Sequence, residues 1–337
     1  MSRTLPPPIR RVLVTGAEGY IGRLLVEALA VEALAADPTA PDGARLEIVA
    51  ADLRLPAAPR GPVAGVTHEA LDITDAAAVS ACFARHRPEV VVHLAAVVTP
   101  KAGEGRALAH RVDVDGTRHV LEAGAAHGLR QLVYTSSGAA YGYHADNPPL
   151  LRESDALRGN EAFAYAAHKR EVEAMLAAWR LSHPSIGQLI FRVSTILGPR
   201  VRNQITAMFE RPVVLGLRGV DTPFCFVADE DVVACLARGA RDPHLTGIYN
   251  LTGAGVLTLR EIAQAMGRPF LGVPARWLAR GLGLLSARGL APYGPEQVMF
   301  LEHRPVLDPE ALRRDLGYRT RSSREVFEVY RRSRASA

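Results

Sequence analysis

The sequence predicts an α/β protein: a doubly wound parallel sheet with a smaller C-terminal substrate-binding cap over the sheet's carboxyl edge. Three observations carry this. Short apolar runs alternate with helix-length segments, a glycine-rich turn joins the first run to the first helix, and after Gly198 proline, arginine and glycine break the rhythm into shorter elements.

Taken in order, strands are expected at "RVLVT" from Arg11, "LEIVAAD" from Leu46, "VVVHLAA" from Val90, "QLVYTSS" from Gln131 and "QLIFRVS" from Gln188. Helices are expected over Tyr20 to Leu34, Asp75 to Arg85, Arg106 to His127 and Ala162 to Leu181. Runs that are apolar throughout belong inside a parallel sheet, because crossover helices cover both of its faces. His93 reads as part of the third of these strands. "TGIYNLTG" from Thr246 looks like a late return to the same sheet. The chain therefore divides into a nucleotide-binding region over 1–198, rejoined by 246–252, and a mainly smaller substrate-binding region over 199–337.

Composition narrows the class. The chain has 337 residues, 48% of them apolar and 22% charged, which excludes disordered and fibrous architectures. The formal charge is +5, but the arginines are interspersed with carboxylates and aromatics make up only 6%, so no nucleic-acid partner is expected. "MSRTLPPPIRR" contains no apolar run of the kind a signal peptide needs. "WLARGLGLLSARGLAP" from Trp277 is interrupted by Arg280 and Arg288 and is too short for a bilayer, so no membrane partner is expected. It reads as a core helix of the smaller region. Cys82, Cys225 and Cys235 are odd in number and lack ligand spacing, which suits a reducing, cytoplasmic setting. "RRDLGYRTRSSREVFEVYRRSRASA" from Arg313 is expected to be a polar helix and tail.

"VLVTGAEGYIGRLLVEAL" sets Gly16, Gly19 and Gly22 between the first strand and the mouth of a helix. Gly16 permits the tight turn, Gly19 lets the backbone approach a diphosphate, and Gly22 permits close packing of helix on sheet. Free N–H groups at the helix start favour the anion. This is the Rossmann-type arrangement for a dinucleotide. The second strand ends in Asp52, a carboxylate able to accept from both adenosine ribose hydroxyls and to repel a 2′-phosphate, which favours NAD over NADP. Arg54 is the competing signal, since a guanidinium there suits a 2′-phosphate. "AADPTAPDGA", between the first helix and this strand, reads as a surface insertion.

Within "FAYAAHKREVEA", Tyr165 and Lys169 lie one helical turn apart, and Lys101 and Lys169 are the only lysines among 40 basic residues. A tyrosine titrates near ~10 in water and is a poor base at neutral pH. A fixed ammonium, together with the positive charge of an oxidised nicotinamide, would stabilise the phenolate; a lowering of ~3 units needs ~4 kcal/mol. The pair makes the tyrosine a general acid and base. His168, between them, is expected on the surface. "VYTSSGAAYG" supplies a hydroxyl for the substrate oxygen, with Ser137 preferred to Ser136. No histidine pair with a carboxylate shows ligand spacing, and no metal is expected.

These residues resemble the extended short-chain dehydrogenase/reductase family, specifically its NAD-dependent epimerase/dehydratase group. The resemblance rests on "TGAEGYIG" from Thr15, "LDITD" from Leu71, "HLAA" from His93, "DVDGTRHVLEA" from Asp113, "YTSSGAAYG" from Tyr134, "YAAHK" from Tyr165, "GP" at Gly198 and "FVADEDVV" from Phe226. It implies that Ser137, Tyr165 and Lys169 are catalytic. It also implies that Gly16, Gly19, Tyr20, Ile21 and Gly22 meet the cofactor diphosphate, that Asp72 and Ile73 border the adenine, and that Leu94, Ala95 and Ala96 pass beneath the cofactor. Val193 and Ser194 would lie near the nicotinamide, and a homodimer would form on the helices from Arg106 and Ala162. Departures are informative. Asp113 and Thr195 replace asparagines common in the group, "TPFCFVAD" lacks an arginine that grips a nucleotide diphosphate, and no acid pair follows Ser137, which argues against dehydration.

The function expected is NAD-dependent hydride transfer of the epimerase type at a secondary alcohol or ketone carbon of a small molecule such as a sugar or sugar nucleotide. The alternative is a net ketone reductase or dehydrogenase, like the hydroxysteroid and flavonol branches, with Trp277, Leu278, Leu282, Leu284 and Leu285 lining an apolar pocket. A dinucleotide-binding sensor without catalysis is the third reading. Thr99, Ser137, Thr195, Arg200, Asn203, Gln204 and Arg218 are the candidates for substrate contact.

Overall fold

The computed structural model describes residues 9–35, 46–55, 65–98, 105–288, 294 and 296–335. The chain runs β1 (Arg11–Thr15), α1 (Tyr20–Ala35), β2 (Glu47–Asp52), β3 (Val66–Ala70), α2 (Ala76–His86), β4 (Val90–His93), α3 (Arg106–His110), α4 (Gly116–His127), β5 (Gln131–Ser137), α5 (Ala164–Ser182) and β6 (Gly187–Val193). It continues through β7 (Thr195–Leu197), α6 (Gln204–Phe209), β8 (Val214–Leu217), β9 (Pro223–Phe224), β10 (Phe226–Ala228), α7 (Asp229–Arg241) and β11 (Gly247–Leu251). Last come β12 (Leu257–Thr258), α8 (Leu259–Ala265), β13 (Phe270–Val273), α9 (Ala275–Ala287), α10 (Glu296–Glu302), α11 (Glu310–Leu316) and α12 (Ser323–Ala335).

Seven parallel strands form one sheet in the order β11-β6-β5-β4-β1-β2-β3. Val12 and Val14 of β1 pack against Leu25 and Leu29 on one face, while Leu13 packs against Phe83, Val120 and Leu121 on the other. Burial on both faces is why these strands read as continuous apolar runs. β3, "VTHEA", escapes that reading because it is an edge strand with largely exposed side chains. The strand order reverses between β1 and β4, so a crevice opens beyond their carboxyl ends, where doubly wound sheets hold ligands.

The 199–337 region is not a separate body. β11 pairs in register with β6, and Val232, Leu236 and Ala240 of α7 and Leu312 of α11 enter the core on the α1 side of the sheet. The cap has its own core of Phe209, Phe224, Phe226, Phe327 and Tyr330. Phe327 and Tyr330 belong to α12, so the expected polar C-terminal helix is amphipathic and helps to close the cap. Among the described residues, no helix is long and apolar enough to cross a membrane.

Candidate active site

Gly16 adopts φ +69, and a Cβ there would stand 2.7 Å from the Ala95 amide nitrogen. The turn after β1 thus abuts the segment after β4, and Leu94 N donates to Thr15 O at 3.1 Å. Gly22 serves the turn rather than the sheet: a Cβ on it would lie 2.2 Å from the Gly16 carbonyl oxygen. Gly19 N donates to that same oxygen at 3.0 Å. Asp52 closes the other side, its Oδ2 accepting from Glu18 N at 2.9 Å. Arg54 is exposed, and its amide reaches Asp52 Oδ1 at 3.4 Å.

Tyr20 turns its side chain toward the cap, where its hydroxyl donates to Asp229 Oδ2 at 2.5 Å. Burial first, and then this carboxylate, push the phenol well above its usual range. Ile21 packs on the sheet core. Asp72 accepts from Thr74 N at 2.9 Å and Thr74 Oγ1 at 2.8 Å, shaping the approach to α2. Ile73 is buried and its carbonyl accepts from His119 Nδ1 at 2.9 Å. Ala96 follows Ala95 in the same segment. Thr99 and Lys101 lie outside the described residues.

The carboxyl end of β5 and the first turns of α5 bring the expected trio together. The Ser137 side chain is close enough to the Tyr165 phenol to oppose its upward shift, and its hydroxyl accepts from Ala139 N at 3.1 Å. Ser136, pointing to the opposite face as strand alternation requires, bonds to Glu173 instead. Lys169 Nζ donates to Tyr134 Oη at 2.9 Å and to Thr135 O at 2.8 Å, and stands 5.7 Å from the centroid of the Tyr165 ring. Burial pushes Tyr165 up to about 12, with the Ser137 side chain opposing it and Asp113 adding to it. Burial draws Lys169 down to about 8 against the pull of Asp113 and Glu173. In the protein alone, desolvation sets the direction of both shifts.

His168 is not on the surface. It is 2% exposed, and its Nδ1 pairs with Asp113 Oδ2 at 2.9 Å. α5 packs face-on against the α3–α4 junction, so the position between Tyr165 and Lys169 is covered. A second buried pair, Arg192 with Glu173 at 2.7 Å, lies one turn beyond Lys169.

Beyond the trio, Val193 ends β6 and the Ser194 hydroxyl is buried without a hydrogen-bond partner. Thr195 Oγ1 accepts from Arg304 Nη2 at 2.6 Å. The Arg304 guanidinium is clamped between Phe224 at 4.2 Å and Phe300 at 4.3 Å, and its Nη1 is buried with no partner. Sequence reasoning missed Arg304; "EHRPVLDP" offers no signal that its arginine folds back on Thr195. Asn203 uses its side chain to cap α6, accepting from Ile205 N and Thr206 N, both at 2.9 Å. Arg200, Gln204 and Arg218 are exposed, Arg200 beside the Tyr20–Asp229 contact and Arg218 at the end of β8, its amide on Val273 O. Leu278 and Leu282 pack into the cap core whereas Trp277 and Leu284 face solvent, so α9 is chiefly a core helix; the Leu285 side chain is outside the described residues.

Among the described residues, Glu69, Cys82 and His86 place donor atoms within 4.8 Å of one another. Arg85 already bridges Glu69, and burial pushes the Cys82 thiol up to about 11.

A family model described as the NAD dependent epimerase/dehydratase family matches residues 12–240. A Streptomyces sp 3-diazoavenalumate denitrifying reductase is 32% identical over 311 residues, covering 83% of this chain and 92% of its own. The uncharacterized protein y4nG of Sinorhizobium fredii is 27% identical over 353 residues, covering 97% of this chain and 80% of its own. Mycobacterial relatives at 28% identity are much longer, and the chain spans 25% of their length. Among solved structures, Thermus thermophilus UDP-glucose 4-epimerase in complex with NAD superposes with a TM-score of 0.70 at 25% identity, covering 95% of this chain and 99% of that one.

Proposed function

We propose, from the premise that this chain belongs to the NAD dependent epimerase/dehydratase family, that it is an epimerase-type enzyme for a secondary alcohol or ketone carbon in a polar small molecule carrying an anionic group. The observation that carries the reading is the meeting of the neighbouring Ser137 and Tyr165 side chains with Lys169, whose Nζ stands 5.7 Å from the Tyr165 ring centroid. It sits at the carboxyl edge of the sheet, on the same side as the Gly16 turn.

The residues fit NAD. Gly16 leaves no room for a side chain where the turn meets Ala95, Asp52 presents its carboxylate at the end of β2, and the Ser194 hydroxyl lacks a partner. Gly16, Gly19 and the first amides of α1 would hold the diphosphate. Asp52 would hold the adenosine ribose and disfavour a 2′-phosphate, Lys169 the second ribose, and Val193 and Ser194 the nicotinamide. When bound, NAD takes a hydride from the substrate carbon or returns one. Ser137 would orient the substrate oxygen, and the Tyr165 phenolic oxygen would take the hydroxyl proton as the hydride leaves the substrate carbon and give it back as the hydride returns. Arg304, half-buried and without a carboxylate partner among the described residues, offers charged donors to an anionic substrate group beside Thr195. That supplies the anion grip absent from "TPFCFVAD", and it favours a sugar nucleotide or similar phosphorylated substrate.

A net reductase remains the second reading. Tyr143 lies 5.3 Å from Phe300 and 5.8 Å from Phe163, centroid to centroid, and the three pack with Tyr165, a wall suited to a less polar substrate. A sensor without catalysis would have no use for the intact Ser137, Tyr165 and Lys169. The buried free cysteines agree with a reducing cytoplasm, and α3–α4 with α5 offer the face for a homodimer.

Denaturing freshly purified protein and identifying the released nucleotide separates the readings. Stoichiometric NAD supports internal recycling of the hydride, as in an epimerase. An empty protein that oxidises added NADH with a ketone supports the reductase. Protein that neither retains nor binds NAD overturns both.

A further inference from the structure

A row of side chains crosses three neighbouring strands at the carboxyl edge of the sheet. Thr15 of β1 is the register partner of His93 of β4, and His93 is the register partner of Tyr134 of β5. Register partners project from one face of a parallel sheet, here the face that α4 and α5 cover. All three are almost wholly buried. Thr15 directly precedes Gly16, so the row begins at the dinucleotide turn.

The bonds along the row fix its orientation. The Thr117 hydroxyl, on α4, donates its single proton to Asp113 O at 2.6 Å, so toward His93 Nε2, 3.1 Å away, it can only accept. That assigns the imidazole proton to Nε2 and makes Nδ1 the acceptor for Thr15 Oγ1 at 2.6 Å. Burial, and then Lys169, draw His93 down to about 3, which keeps the ring neutral. Held at both nitrogens, the ring lies against Tyr134 with centroids 5.9 Å apart and planes 24° from parallel.

Tyr134 carries this order to the catalytic helix. Lys169 Nζ donates to its Oη at 2.9 Å and to Thr135 O at 2.8 Å, and stands 4.6 Å from its ring centroid. An ammonium has three protons. Two are thus spent on adjacent residues of β5, and one is left for the crevice, on whose wall the Tyr165 ring lies 5.7 Å away. A phenylalanine would stack on His93 equally well; what the tyrosine adds is an acceptor for the ammonium.

We propose that Tyr134, braced by His93 and Thr15, is a positioning residue for Lys169: its hydroxyl aims the ammonium so that the uncommitted proton faces the cofactor and Tyr165. Its catalytic meaning rests on the reaction proposed above, whereas the tether itself belongs to the resting protein.

Tyr134→Phe keeps the ring on His93 and deletes the acceptor. The chain has two lysines, Lys101 and Lys169, so protein labelled with 13C at lysine Cε gives two resonances, and Lys101→Arg assigns them. Lys169 should titrate at about 8 in the wild type. In Tyr134→Phe it should titrate lower by roughly one pH unit, the equivalent of one hydrogen bond to a charged group, and kcat should fall roughly tenfold for the same loss. His93, Asp113, Glu173 and Tyr165, the other ionisable groups that bear on Lys169, are unchanged in the variant. A role in packing alone would lower the melting temperature and leave the titration where it was. Tyr134→Met, whose thioether accepts only weakly, serves should the first variant fold poorly. A Lys169 that titrates as in the wild type in either folded variant overturns the proposal. The titration is read without substrate, so that result leaves the hydride-transfer reading intact, whereas full activity in Tyr165→Phe would sink the reading and spare the lysine titration.

Discussion

Arg304 donates through Nη2 to Thr195 Oγ1 at 2.6 Å, joining residues 109 positions apart. The contact carries the cap's guanidinium to β7, the strand that follows β6 at the carboxyl edge of the sheet. A charged group stacked between Phe224 and Phe300 with one nitrogen unsatisfied is costly unless a ligand completes it.

Arg304→Met keeps the stem between the two rings and deletes the charge. KM for the substrate should rise about 30-fold, equivalent to about 2 kcal/mol for hydrogen bonds to a charged group, with kcat nearly unchanged. Steady-state kinetics on the first active substrate checks this. A fall in kcat at constant KM would place Arg304 in the chemical step instead.

Tyr165→Phe removes the proton donor and little else. Turnover should drop by roughly 100-fold to 10000-fold, the usual worth of general acid–base catalysis, while NADH binding followed by fluorescence stays within about twofold of the wild type, a margin small beside the roughly 1.4 kcal/mol that a tenfold change represents.

The pH dependence follows from two displaced groups. Lys169 is lowered to about 8, so it is charged below that value and loses its proton as pH rises through it. Tyr165 is raised to about 12, so in the protein alone it keeps its proton and is poised as the donor for the reduction direction. Ketone reduction should therefore be level below about pH 8 and decline above it. Lys169→Arg, whose side chain does not titrate in this range, should lose that decline whatever its absolute rate.

Arg192→Met leaves the Glu173 carboxylate, 3% exposed, without its partner. Stripping one member from a buried pair costs about 3–5 kcal/mol. Urea denaturation should show that loss at pH 7, and it should shrink in a double variant with Glu173→Gln, where no charge is left stranded.

Much of the site was legible along the chain because its signals are local. The turn of Gly16, the carboxylate of Asp52 and the pair Tyr165 and Lys169 each sit within one element and its flanking residues. β3 was missed because its edge position exposes Thr67 and His68, which hides the apolar pattern. His168 misled because, on an isolated helix, it reads as lying off the face of Tyr165 and Lys169, and only the packing of α5 on the α3–α4 junction covers it. Asn203, a candidate for substrate contact, uses its side chain to cap α6, which a reading of the chain alone did not foresee.

The amino-acid order by itself determined the parallel sheet, the dinucleotide turn and the residues able to exchange a proton, because periodicity, glycine spacing and one-turn neighbours are properties of short segments. Tertiary packing alone decided the burial that raises Tyr165 and lowers Lys169, the meeting of Asp113 with His168, and the return of Arg304 to Thr195. Each of these depends on how far water is excluded and on which distant segments share a surface, and neither quantity is written in any one stretch of the chain.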